Sequence, residues 1–156
     1  MQVVTLTLSG ETLAVPTRML HEILEPVPVT RVPRAGRFAS GLINVRGAVI
    51  PLTDLRVALG MAQAAQDEHT RILVLDVPVA GEATTVAVIA DRVLDVTEID
   101  DAAMGDIPEV GMKWPPEFLS GIARTDAGFV ILPDLERIYA ASLANSTGTP
   151  QFEKDL

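Results

Sequence analysis

Apolar residues recur along the chain in short runs with a period of two. Val4, Leu6 and Leu8 alternate with Val3, Thr5 and Thr7, so one strand presents two faces of different chemistry. Ser9-Gly10 then supplies a hairpin turn into a second run, residues 12–15. The same rhythm predicts strands at 20–24, 42–45, 48–52, 72–77, 85–90, 93–99 and 129–132, separated by Gly, Pro, Asp and Ser. Helical spacing is scarce. Residues 54–59, with Asp54 as N-cap and Gly60 as stop, predict one or two turns; residues 133–143 carry Leu135, Ile138 and Tyr139 on one helical face. Many short strands with turns between them predict an all-β fold with short helices, a sandwich or closed barrel, and the length allows two small barrels.

Three stretches break the pattern. Residues 61–68, with three alanines and two glutamines, suggest a lobe boundary near 61–70. Residues 100–117 mix acids, glycines and prolines and predict a long ordered loop containing Trp114, the sole tryptophan. Residues 145–156 are polar and predict a flexible tail after a domain spanning 1–144. No tandem repeat stands out.

Composition narrows the function. With 156 residues, 48% of them hydrophobic, the chain has material for a core without staples. The absence of cysteine removes disulfides, thiolate catalysis and cysteine-ligated metals, and suits a reducing compartment. The N-terminus lacks a basic leader, and no apolar run reaches the roughly 18 residues that span a bilayer, so a soluble cytoplasmic protein is expected. A net charge of −9 argues against wrapping nucleic acid. The charge is uneven: residues 1–56 hold six arginines against four acids, and residues 57–156 hold six basic residues against seventeen acids. Such asymmetry either steers protein partners or simply keeps an acidic face solvated.

The catalytic inventory is empty. His21 and His69, the only imidazoles, lie far apart, with no second histidine at metal-pair spacing. Nucleophile elbows, phosphate loops and dinucleotide fingerprints are absent. Glu98, Asp100, Asp101, Asp106 and Glu109 lack the spacing of an EF-hand loop. No catalytic residue, metal or cofactor is expected. Arg46 and Asp54 read instead as structural: Arg46 at a strand reversal beside the permissive Gly47, donating to carbonyls of the turn, and Asp54 capping the helical turn that holds Arg56.

One segment is more specific than composition. Asn44-Val45-Arg46-Gly47-Ala48-Val49-Ile50-Pro51-Leu52-Thr53-Asp54-Leu55-Arg56 resembles the signature of CheW-like domains, the coupling proteins of bacterial chemotaxis. The likeness continues upstream in Leu20-His21-Glu22-Ile23-Leu24 and Phe38-Ala39-Ser40-Gly41, and downstream in residues 88–96, 118–122 and 130–138. It covers residues 2 to 141. Ala87 departs from it, standing where many members have glycine, and the loop at 77–83 looks expanded.

The resemblance implies two packed SH3-like five-stranded β-barrel lobes and a non-catalytic adaptor. Its implied partners are the cytoplasmic tip of a chemoreceptor and the regulatory domain of a CheA-type histidine kinase, placing the protein in the cytoplasm at receptor arrays. Leu20, Glu22, Ile23, Gly41, Arg46 and Val96 occupy the positions implied to face or support those partners. Glu22, an acid between apolar neighbours on a strand, is expected to point outward. The alternatives are a coupling protein of a type IV pilus system, or a small-molecule-binding β-barrel.

Overall fold

The alternation in the first strand has two destinations. In this computed structural model, which describes residues 1–34, 36–39, 41–100, 104–105, 114–126 and 128–145, β1 (Gln2–Leu8) pairs antiparallel with β2 (Glu11–Pro16). Val4 and Leu6 stand opposite Val15 and Leu13 and enter the largest hydrophobic cluster, while Val3 and Ala14 enter a smaller one behind them. Neither face of the hairpin is left to solvent, which is why threonine is the most polar residue β1 carries beyond Gln2.

A 3₁₀ turn (Thr17–Met19) leads into the second sheet, built from β3 (Leu20–Leu24), β4 (Thr30–Arg31), β5 (Gly41–Val45), β6 (Ala48–Thr53), β7 (Arg71–Val79) and β8 (Glu82–Ala90), with α1 (Leu55–Leu59) between β6 and β7. After Asp91 the chain returns to the first sheet as β9 (Arg92–Glu98), β10 (Met104–Gly105), a 3₁₀ turn (Pro116–Phe118), β11 (Leu119–Thr125) and β12 (Gly128–Pro133), and closes with α2 (Leu135–Asn145). The strand orders are β10-β11-β12-β2-β1-β9 and β3-β7-β8-β6-β5-β4. The fold is mostly β with two sheets and short helices. Among the described residues each sheet has five substantial strands, and a two-residue strand makes the sixth.

The lobes are not divided at 61–70. That segment joins α1 to β7 inside the run of the second sheet, and the crossings fall at 17–19 and at Asp91. Alanine and glutamine there mark an exposed connection, not a boundary. The 77–83 stretch is not an expanded loop either: β7 and β8 continue to Val79 and Glu82 around the two-residue turn Ala80-Gly81. Pro78 is accommodated because β3 reaches only Leu75, leaving that side of β7 without a strand to bond. Most of the loop expected at 100–117, and the tail from 146, lie outside the described residues. Trp114 is half-buried and packs on the large cluster.

That cluster lies between the sheets. Leu73, Leu75 and Val77 of β7 and Val86 and Val88 of β8 meet the β1–β2 face, and Leu55, Leu59, Leu135, Ile138 and Tyr139 of the helices seal it. At roughly 1.5–3 kcal/mol per buried aliphatic side chain, this shared layer is a large apolar contribution holding the two sheets together. The opposite face of β7 and β8 holds Ile72, Val74 and Ala87, which join Ile43, Ile50 and Leu52 in a core private to the second sheet.

An internal repeat links the halves. Phe38, Gly41, Leu52, Asp54 and Leu55 reappear as Phe118, Gly121, Leu132, Asp134 and Leu135, each 80 positions later. The bonds repeat as well: Asp54 N–H donates to Phe38 O at 2.9 Å, and Asp134 N–H to Phe118 O at 2.7 Å. In both halves a hairpin runs into a short helix, and its second strand makes the parallel pairing of its sheet, β6 with β8 and β12 with β2.

Candidate partner-binding surface

The β5–β6 hairpin turns on Arg46 and Gly47, with φ of 52° and 87°. Two central residues in the left-handed region define a type I′ turn, whose twist matches the strands it joins. Glycine adopts this freely; arginine carries a Cβ and pays roughly 1–2 kcal/mol for it. The turn's own bond comes from elsewhere, since Asn44 Oδ1 accepts the Gly47 N–H at 2.9 Å. The expectation that Arg46 ties the turn carbonyls is therefore corrected. Its Nη1 donates to Glu22 Oε2 at 2.5 Å, with 77% of the arginine side chain exposed and 15% of the glutamate's. In the strand order β7 and β8 separate β3 from β6, so the sheet has to curl for this contact to form.

Glu22 does not point outward. Leu20 pairs with Leu75 and Glu22 with Val74, two residues of β3 against one of β7, so a bulge at His21 reverses the alternation. Glu22 shares the face of Val74 and covers the private core of the second sheet; its Oε1 is buried without a hydrogen-bond partner. Ile23 takes the exposed face instead.

The remaining expected residues divide. Leu20 is half-buried against the large cluster. Gly41 is buried, and a Cβ there would lie 2.3 Å from Val29 Cγ1, so the glycine leaves room for the Val29 side chain against β5. Val96 is exposed on β9, the edge of the first sheet, beside the equally exposed Leu94, which a register shift leaves unpaired. Of the six, only Glu22 and Arg46 share a side-chain hydrogen bond. Val49 and Phe129, not singled out from the sequence, are 65% and 63% exposed at equivalent places in the two repeats. The 80-residue offset was the signal that pairs them. Arg124 lies over the Phe129 ring, 5.2 Å from its centroid.

Behind this surface are two polar knots. Asp54 Oδ1 accepts the Arg56 N–H at 3.0 Å and caps α1, which ends at Gly60 with φ of 70°. The buried Arg56 guanidinium donates to Asp91 Oδ1 at 2.7 Å and to Ala64 O at 3.1 Å, while Asp91 Oδ2 accepts the Ser9 N–H at 2.8 Å. Asp91 sits at the crossing between sheets, so it fastens α1 to the β1–β2 turn. In the second knot Tyr139 Oη lies 2.5 Å from Thr53 Oγ1, which donates to Ala87 O. Burial pushes the Tyr139 phenol well above its ordinary pKa, against a smaller opposing effect of the Thr53 bond.

His21 and His69 are exposed and lie 3.5 Å from Asp76 and Glu68 respectively. Among the described residues no group of three or more His, Asp or Glu gathers as a metal site, and no helix is long and apolar enough to cross a membrane. Asp101, Asp106 and Glu109 of the acidic group lie outside those residues.

Comparison with known proteins agrees with the geometry. A family model described as the CheW-like domain matches residues 2–142. The chain is 28% identical over 135 residues to a chemotaxis protein CheW of Klebsiella aerogenes, covering 86% of this chain and 79% of that protein. It is 30% identical over 121 residues to a probable chemotaxis protein CheW of Rhizobium etli, covering 78% and 76%. The crystal structure of the scaffolding protein TtCheW from Thermoanaerobacter tengcongensis superposes with a TM-score of 0.78 at 28% identity, covering 88% of this chain and 86% of that one. The chain belongs to the CheW-like domain family, and is a non-catalytic scaffolding protein of chemotaxis.

Proposed function

We propose that the chain couples the cytoplasmic tip of a chemoreceptor to the regulatory domain of a CheA-type histidine kinase, reaching receptor arrays in the cytoplasm through these partners. The observation that carries this reading is a set of exposed aliphatic residues on strand edges and hairpins, Ile23, Val49 and Val96, with the charged Glu22–Arg46 pair beside the first of them. Apolar centres with charged rims suit assemblies that form and part reversibly. The charge pair contributes orientation more than affinity. Signal then passes as a difference in contact free energy between two receptor states, and no bond is made or broken.

The test mixes the purified chain with a kinase regulatory domain and a receptor-tip fragment on a sizing column. A ternary species is expected. Ile23→Arg and Val96→Arg, at exposed positions where stability should change by no more than about 0.5 kcal/mol, are expected to weaken it. A chain that elutes alone at every ratio overturns the reading.

A further inference from the structure

We infer that the arginine-bearing segment between β4 and β5 docks an acidic peptide segment of a protein partner, at a place distinct from the Glu22–Arg46 face. Arg31 pairs with Gly41, and Gly41 with Leu52, so this segment lies at the end of the β5–β6 hairpin opposite the Arg46 turn. Arg31 and Arg37 line a cleft of about 370 Å³ with Phe38, Val57 and Ile89 among its walls. Arg34 stands between them in the chain with φ of 66°, the left-handed geometry of a turn.

Charge separates these arginines from Arg46 and Arg56, and their clustering separates them from Arg18, which is exposed and unpaired among the described residues but stands alone in the chain. Arg46 and Arg56 are held by carboxylates. Arg31, Arg34 and Arg37 are exposed and have no ion pair or side-chain hydrogen bond among the described residues. Asp54 also lines the cleft, but its carboxylate is committed to the Arg56 backbone N–H and faces the Arg56 guanidinium. Among the described residues, three guanidinium groups within seven positions thus have no carboxylate partner, on a chain of net charge −9. Their planar forks match carboxylates in bidentate fashion, and Phe38, Val57 and Ile89 in the cleft lined by Arg31 and Arg37 accept an aliphatic side chain. Nucleic acid offers phosphates but no aliphatic side chain for the apolar part of the cleft, and a second copy is a competing occupant that the oligomeric state tests. A locally acidic, amphipathic peptide answers both the fork and the cleft.

The experiment titrates the full-length chain with a capped peptide of alternating glutamate and leucine, following arginine side-chain and backbone amide resonances. Shifts are expected at Arg31, Arg34, Arg37, Phe38 and Val57. Affinity should fall at least about tenfold in the R31Q/R34Q/R37Q variant, at an unchanged melting midpoint, and fall again as salt rises. Replacing leucine by serine in the peptide should weaken binding several-fold. The proposal is overturned if these resonances do not move or the triple variant binds equally. It also fails if inorganic phosphate, phosphatidylserine vesicles or duplex DNA engage the segment as strongly as the peptide. A concentration-dependent dimer lost in the triple variant would likewise replace the peptide with a second copy. Ternary assembly through Ile23 and Val96 is read on a different surface, so either result stands without the other.

Discussion

Glu22 is an acid with one oxygen on a cation and the other enclosed by protein. Seen from Arg46, which is mostly in water, the bond is a surface ion pair of about 0–1 kcal/mol. Seen from Glu22, it is the one ion pair of a largely covered carboxylate among the described residues, and this side governs the outcome of removing the partner. Arg46→Ala is therefore expected to destabilise the fold by about 1–3 kcal/mol in urea unfolding, and because alanine keeps the Cβ the cost of the left-handed backbone at this position is unchanged. Glu22→Gln in the same background should return part of that loss, with a coupling of about 0.5–3 kcal/mol between the two sites. Equal unfolding midpoints for the wild type and Arg46→Ala would mean that water reaches Glu22 and the pair is decorative.

At the scale of elements, α1 is the weakest unit that the site depends on. Five residues are too few to hold a helix alone, so its cap and its buried face decide whether it forms. Asp54→Ala is expected to cost about 1 kcal/mol in thermal or urea unfolding, as removal of an N-cap acceptor does. Asp134, whose Oδ1 accepts the Arg137 N–H at 3.1 Å, provides the internal comparison. Most such elements were readable because alternation, turn residues and caps are local: the β1–β2 turn, the strand reversal at Arg46-Gly47, α1 with both its stops, and α2 within two residues of its ends. What was not readable depends on partners distant in sequence. The bulge at His21 is set by the register of β7, and it inverted the expected facing of Glu22. Strand β11 went unmarked because Ser120, Gly121 and Ala123 offer little aliphatic contrast. The 80-residue repeat was too dilute to see until the paired bonds of Phe38 and Phe118 exposed it. The family resemblance supplied positions such as Gly41 and Val96; geometry then separated a buried glycine from an exposed edge residue.

For the whole molecule the question is whether two sheets sharing one apolar layer behave as one body. Asp91 fastens them from outside the layer, and Asp91→Ala strands the buried Arg56 guanidinium with one carbonyl and a carboxylate 3.6 Å away. A loss of about 3 kcal/mol is expected, the lower end of what breaking a buried pair costs, because Asp91 itself is partly exposed. Tyr139 reports on the layer from inside, and as the only tyrosine it can be followed alone by its ultraviolet absorbance. Its folded pKa is raised, so the native state keeps the phenol proton where the unfolded chain, near the ordinary value of about 10, releases it. The folded state binds more protons in that window, and linkage then requires stability to fall as pH climbs above about 10, while below it the contribution is complete. Tyrosinate absorbance should accordingly appear together with loss of β-sheet circular dichroism in one transition. Tyr139→Phe should lose stability near neutrality with the Thr53 bond, yet show a shallower decline at alkaline pH. A tyrosinate signal that rises near pH 10 with the sheet intact would mean that the layer admits water and that the two sheets part locally before they unfold.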